Sequence, residues 1–210
     1  MQTGALRPYE DALRTAGPLA LHSARGEVIV LDVARWLEPV DAVDETVLAC
    51  CRVPTLDVGC GPGRFVAALA ERGVPALGLD IASTAIALNV HRGTPALLRS
   101  VFARVPGEGR WPVALLMDGN IGIGGDPARL LRRLRRVLCA SGRLIVETHP
   151  DDGVEQMLTV RFSRGGAAIG PQFEWAHVGL RPLLRRAEAA GYRSSDVWSI
   201  GGRTFASLGA

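Results

Sequence analysis

The chain has no lysine. All 24 of its basic residues are arginine, and asparagine occurs only at Asn89 and Asn120, while alanine, glycine and proline are plentiful, the bias expected of a GC-rich, bacterial genome. The four cysteines, Cys50, Cys51, Cys60 and Cys139, form no C-x-x-C pair and two are adjacent, which argues against a disulfide framework and a zinc site and leaves them as small buried hydrophobes. A long apolar run is also missing from the 48% hydrophobic composition, and the start "MQTGALRPYEDAL" is polar. Neither a membrane span nor a secretory leader is therefore expected, and the chain reads as cytoplasmic. A net charge of +3 is too small to imply a nucleic-acid partner. What remains is a length of 210 residues, enough for one domain with a full core.

The densest basic run, "RLLRRLRRV" (129–137), sets Leu130, Leu131, Leu134 and Val137 at helical spacing, so its arginines are expected on a solvated face rather than a polyanion-binding patch. Asp126-Pro127 gives that helix a capping residue and a proline at its first position. Around it, short apolar runs alternate with periodic segments of about ten residues. "TLDV", "PALGLD", "ALLRSV", "WPVALLMD" and "SGRLIVETH" read as strands, and "GRFVAALAERG", "STAIALNVHRG" and "LRPLLRRAEAAGY" as helices. The pattern predicts an α/β, doubly wound, mostly parallel sheet of seven strands, closed by an antiparallel pair, "RSSDVWSI" and "RTFASLG", joined across two glycines. Two stretches fall outside it. Residues 8–51 hold helical segments, "YEDALRTAG" and "ETVLACC", and a short strand at "EVIVLDV", broken at Gly17-Pro18 and Glu38-Pro39; residues 151–179 show no regular pattern and are expected to be irregular.

Ligands of such sheets sit beyond the carboxyl ends of the strands, where the strand order reverses. "TLDVGCGPGRF" (55–65) falls there. A dinucleotide site asks for G-x-G-x-x-G, whereas Gly59, Gly61 and Gly63 give G-x-G-x-G, with Arg64 where the third dinucleotide glycine belongs. Asp57, two residues ahead of the first glycine, suits a ligand carrying an ammonium group better than a pyrophosphate.

"LDVGCGPGRF" resembles the first motif of class I S-adenosylmethionine-dependent methyltransferases, and the acidic strand end "LGLD", the loop "MDGN", the strand "SGRLIVE" and the closing hairpin match in order over most of residues 54–207. The resemblance implies that residues 51–210 bind S-adenosylmethionine, giving S-adenosylhomocysteine; residues 1–50, which precede the regular pattern, are expected to form an N-terminal helical lid that closes over the pocket. Gly59, Cys60, Gly61 and Gly63 would let the backbone approach the cofactor; Asp57 would help hold its amino group; Asp80 would accept from both ribose hydroxyls; Ile81 would pack on the adenine. Ser100 stands where many members carry an acid for the adenine amino group, and Asp118 and Gly119 would border the cofactor.

Methyl transfer needs a nucleophile aligned with the methyl carbon and often a base. His149, His177 and Asp118 are the catalytic candidates; Tyr9, His22, Asn120, Glu147 and Trp175 are the candidates for holding the substrate. The Asp-Asn pair of metal-dependent members is absent after the fourth strand, as is an "NPPY"-type motif, so no metal is expected and a small molecule is the expected acceptor, with a monomer or homodimer as the assembly. Four other readings stay open: a cofactor used for something besides methylation, a nicotinamide-dependent oxidoreductase, cofactor binding without catalysis, and a partner docked on the basic helix.

Overall fold

The computed structural model describes residues 6–210; residues 1–5 of the expected lid lie outside it. Its centre is a seven-stranded sheet built from β3 (Thr55–Val58), β4 (Ala76–Asp80), β5 (Ala96–Leu98), β6 (Trp111–Leu116), β7 (Leu138–Thr148), β10 (Arg193–Ile200) and β11 (Arg203–Gly209), in the order β10-β11-β7-β6-β3-β4-β5. β11 runs antiparallel between β10 and β7, and the other neighbours are parallel. Leu56, Leu79, Ala114, Leu116, Leu144 and Val146 are essentially solvent-free, as parallel strands covered on both faces require, and burying each leucine contributes roughly 1.5–3 kcal/mol. Helices α4 (Arg64–Glu71), α5 (Ser83–His91), α6 (Pro127–Val137) and α7 (Leu180–Ala189) make the crossovers.

β8 (Glu155–Arg164) and β9 (Ala167–Val178) are long antiparallel strands, so the expectation of an irregular stretch at 151–179 is corrected. They turn at Gly165-Gly166, both with positive φ (58° and 84°), the backbone a two-residue hairpin needs. Leu158, Val160 and Phe162 alternate inward, and β8 then pairs with β1 (Leu19–Ser23), which pairs with β2 (Val28–Leu31). The resulting second sheet, β2-β1-β8-β9, joins two segments far apart in sequence. The N-terminal segment thus adds a hairpin to its helices α1 (Arg7–Thr15), α2 (Val33–Leu37) and α3 (Ala42–Leu48). Ala12 and Leu13 of α1 pack with Leu19, Leu21, Leu158, Val160 and Phe162, and with Ala82 and Ala85 at the start of α5, in a core of their own.

The basic helix α6 carries a further correction. Arg133 is buried, not solvated: it donates to Val101 O (2.8 Å) and Ala103 O (2.7 Å) and pairs with Glu108. Arg129 lies over the Phe102 ring, 4.4 Å from its centroid.

Candidate active site

A cavity of about 450 Å³ lies between the two sheets, at the carboxyl ends of β3, β4 and β6. Its lower wall is the loop after β3. Gly59 N–H and Cys60 N–H donate to Leu79 O of β4, and the loop's outer carbonyls are held by Asn89 (to Gly61 O, 2.8 Å) and Arg92 (to Pro62 O, 3.1 Å). Gly63 opens α4 at φ 86°, and a Cβ there would stand 2.0 Å from Asn89 Oδ1. Its role is to let α5 pack against the loop, and it is not part of the cavity lining. Cys60 lines the cavity, but its sulfur sits over Gly78 of β4, so what it offers a ligand is backbone.

Asp57 is 2% exposed and lines the cavity, and its carboxyl accepts no hydrogen bond from any described residue. Burial pushes its carboxyl up to about 7, although the Arg64 charge acts the other way. An acid held like this favours a cationic donor arriving from the cavity. Asp80 takes one backbone N–H on each oxygen, from Gly61 (3.0 Å) and Ala82 (2.8 Å), which leaves lone pairs on both for a vicinal diol; burial raises its pKa too. Ile81, 43% exposed, and Ser100 border the same side, and the Ser100 hydroxyl already accepts from Phe102 N–H.

Opposite stand aromatic side chains from the second sheet and the N-terminal helices. Tyr9 stacks parallel to Phe162 at 6.5 Å and meets Trp36 edge-on at 6.1 Å, and Phe173 leans on Phe162 at 5.0 Å. Trp175 lines the same wall, wedged against the turn at Gly122. Asn120 stands between the two walls. Its Nδ2 donates to Val58 O (3.0 Å) and Gly59 O (2.9 Å), which fixes the amide orientation and leaves Oδ1 as an acceptor with no partner among the described residues.

Asp118 lines the cavity at φ 55° but is committed to two guanidinium groups, Arg64 (2.9 Å) and Arg35 (3.0 Å). The pairing continues behind it. Arg64 also holds Asp44, which is fully buried; Arg203 joins Asp44 to Glu147; and Glu147 accepts from Asp118 N–H at 2.8 Å. Glu147 is therefore a support of Asp118 and lies outside the lining, as does Gly119. His22 faces away, since Leu21, its neighbour on β1, faces in. His149 and His177 lie together, rings 4.9 Å apart, outside the cavity lining, and burial followed by the neighbouring imidazole lowers the His177 pKa. The structure thus gathers Tyr9, Asp57, Gly59, Cys60, Gly61, Asp80, Ile81, Ser100, Asp118, Asn120 and Trp175 around one cavity and leaves His22, His149, His177, Gly63, Gly119 and Glu147 off it. Sequence reading missed Arg64, Phe162 and Phe173. The two phenylalanines had a signal, the alternation around a Gly-Gly turn; Arg64 had none, because its partners are spread from Asp44 to Asp118.

With this geometry in view, residues 56–146 match the family model of a methyltransferase domain. Residues 56–146 are thus those of a methyltransferase domain, set in a chain of Rossmann-like fold. Among solved structures it resembles an S-adenosylmethionine-dependent methyltransferase from Bacteroides fragilis in complex with S-adenosyl-L-homocysteine, at 19% identity and a TM-score of 0.78, over 98% of this chain and 94% of that one. The 1,6-didemethyltoxoflavin-N1-methyltransferase of Burkholderia thailandensis, with bound 1,6-didemethyltoxoflavin and S-adenosylhomocysteine, aligns at 18% identity and a TM-score of 0.58, over 74% and 70%. The CcbJ methyltransferase of Streptomyces caelestis aligns at 15% identity and a TM-score of 0.61, over 79% and 87%. No curated protein matches the sequence. The Bacteroides fragilis alignment takes in nearly the whole of both chains.

Proposed function

We propose that this methyltransferase moves the methyl group of S-adenosylmethionine to a small, largely apolar, ring-bearing acceptor. The observation that carries the reading is one cavity with two unlike walls: a wall of backbone and acids that suits the donor, facing a wall of aromatic side chains. About 450 Å³ is within the range of small-ligand sites. The donor's residues follow from their chemistry. Asp57 meets the ammonium group, Asp80 the ribose hydroxyls, Ile81 the adenine face, and Gly59 to Gly61 the chain between them.

S-adenosylmethionine supplies an electrophilic methyl on a sulfonium. Transfer is an in-line displacement: the acceptor's lone pair forms the new bond to carbon, the carbon–sulfur pair stays on sulfur, and an acceptor proton then passes to solvent. The chain's contribution is alignment and exclusion of water. Asn120 Oδ1 takes a hydrogen bond from the acceptor's N–H or O–H, while Tyr9, Trp36, Phe162 and Phe173 hold its ring. Asp118, held by two arginines, keeps the loop carrying Asn120 in place and is not the base in this scheme. Neither is His149 or His177, for both lie outside the cavity lining. A nicotinamide dinucleotide is the weaker reading, because Arg64, at the third glycine position, is spent on Asp44 and Asp118.

The test is methyl transfer from labelled S-adenosylmethionine to a panel of neutral heteroaromatic amines and phenols, with calorimetric titration of S-adenosylhomocysteine and of NADH alongside. Micromolar binding of the first and none of the second, with label entering apolar ring acceptors, is expected. Binding of NADH alone would overturn the reading.

A further inference from the structure

Helix α5 begins at Ser83, and its N-cap residue, Ala82, has no side-chain acceptor, so its first turn has no cap of its own. The missing acceptor comes from α1. Glu10 Oε1 takes the Ser83 hydroxyl at 2.6 Å and the Thr84 N–H at 3.3 Å, and Arg14, one turn further on, donates to Thr84 Oγ1 at 2.7 Å. An acid at that point also complements the positive end of the helix. The Ser83 hydrogen bond holds the Glu10 carboxyl below its usual range.

What makes this more than a surface contact is where α5 begins. Ala82 N–H donates to Asp80 Oδ1, so the first turn of α5 and the Asp80–Ile81 corner are one hydrogen-bonded unit. On the other side of α1, Tyr9 reaches the glycine loop: a Cβ on Gly61 would be 3.3 Å from its hydroxyl. Consecutive residues, Tyr9 and Glu10, therefore touch the two structures that flank the donor half of the cavity, and both do so from a segment outside the Rossmann-like core.

We propose that Glu10 is a positioning residue for the methyl donor: by capping α5 across the chain it fixes the corner that carries Asp80 and Ile81, so that donor binding and docking of α1 reinforce each other. The proposal rests on the donor assignment made above. Coupling of this kind is reciprocal, so the donor must hold α1 in place as much as α1 favours the donor.

The experiment combines calorimetric titration of S-adenosylhomocysteine with hydrogen exchange of the full chain. In the wild type, saturating S-adenosylhomocysteine should slow exchange in residues 7–15 as well as 83–91. Glu10→Gln, which keeps the size but weakens the acceptor, should bind about three- to tenfold more weakly, in line with the loss of a helix cap. Ala82→Ser, which gives α5 a cap of its own, should restore most of the affinity in the Glu10→Gln background. Glu10→Gln binding as tightly as wild type, or no rescue by Ala82→Ser, would overturn the coupling while leaving the donor assignment standing. A wild type that ignores S-adenosylhomocysteine would overturn the donor assignment and the coupling with it.

Discussion

The two walls of the cavity are made in opposite ways. The donor wall is local: β3, its glycine loop, α4, β4 and the start of α5 follow one another from Thr55 to Ser83, and backbone groups and short acids form its surface. The acceptor wall is assembled across the chain: β1 pairs with β8, placing Ala20 beside Ser163 and Leu21 beside Phe162, and large side chains form the surface. A wall of backbone tolerates little change and serves one ligand. A wall of side chains can be rebuilt around a new acceptor without touching the donor.

That contrast makes each wall breakable alone. The largest effect is expected from Asp80→Ala, which removes the carboxyl proposed to meet both ribose hydroxyls and should weaken S-adenosylhomocysteine binding about 100-fold or more in calorimetry. Phe162→Ala should do the reverse: donor affinity within about twofold of wild type, with kcat/KM for any ring acceptor down about 10- to 100-fold as Tyr9 and Phe173 lose the ring between them. A Phe162→Ala chain that loses donor binding as well would show that the walls are not separable.

A smaller effect sharpens the donor wall by pH. With Asp57 pushed up to about 7, its carboxylate is available to an ammonium group only above that pH, so S-adenosylhomocysteine affinity should rise about tenfold from pH 6 to pH 8, with proton release below pH 7. Asp57→Asn should flatten that profile. The sign for stability is opposite. A folded pKa above the unfolded value of 3.8 means that this group's contribution is present below about pH 4 and is lost as pH rises through about 7, so the ligand-free chain should melt lower at pH 8 than at pH 5 on account of Asp57. The smallest effect is expected from His149→Gln, with turnover within about twofold of wild type; a loss of about 100-fold or more would return His149 to catalysis.

The same contrast explains what could be read from the sequence. Asp57, Gly59, Gly61 and Asp80 stand at fixed short spacings because a strand, a turn and a helix have fixed lengths, and those spacings are visible in a single chain. Phe162 and Phe173 were legible in principle, since Leu158, Val160 and Phe162 alternate and Gly165-Gly166 marks a hairpin, but Gly170 and Pro171 break the pattern on the second strand. The ring formed by Asp44, Arg64, Asp118, Glu147 and Arg203 was not legible at all. Charged residues in a sequence look solvated, and only the fold brings these five together out of water. Arg133 was misplaced for the same reason, its burial depending on Glu108 and two carbonyls 30 and 32 residues away.

The central claim is that the donor lies on the glycine wall with its sulfur turned toward the aromatic one. A crystal structure of the chain with S-adenosylhomocysteine tests it most directly. The account predicts the ribose diol on Asp80, the amino group at Asp57, and the thioether sulfur facing the space between Asn120, Tyr9 and Phe162. A ligand whose sulfur points to solvent, or whose adenine fills the aromatic half, would contradict it.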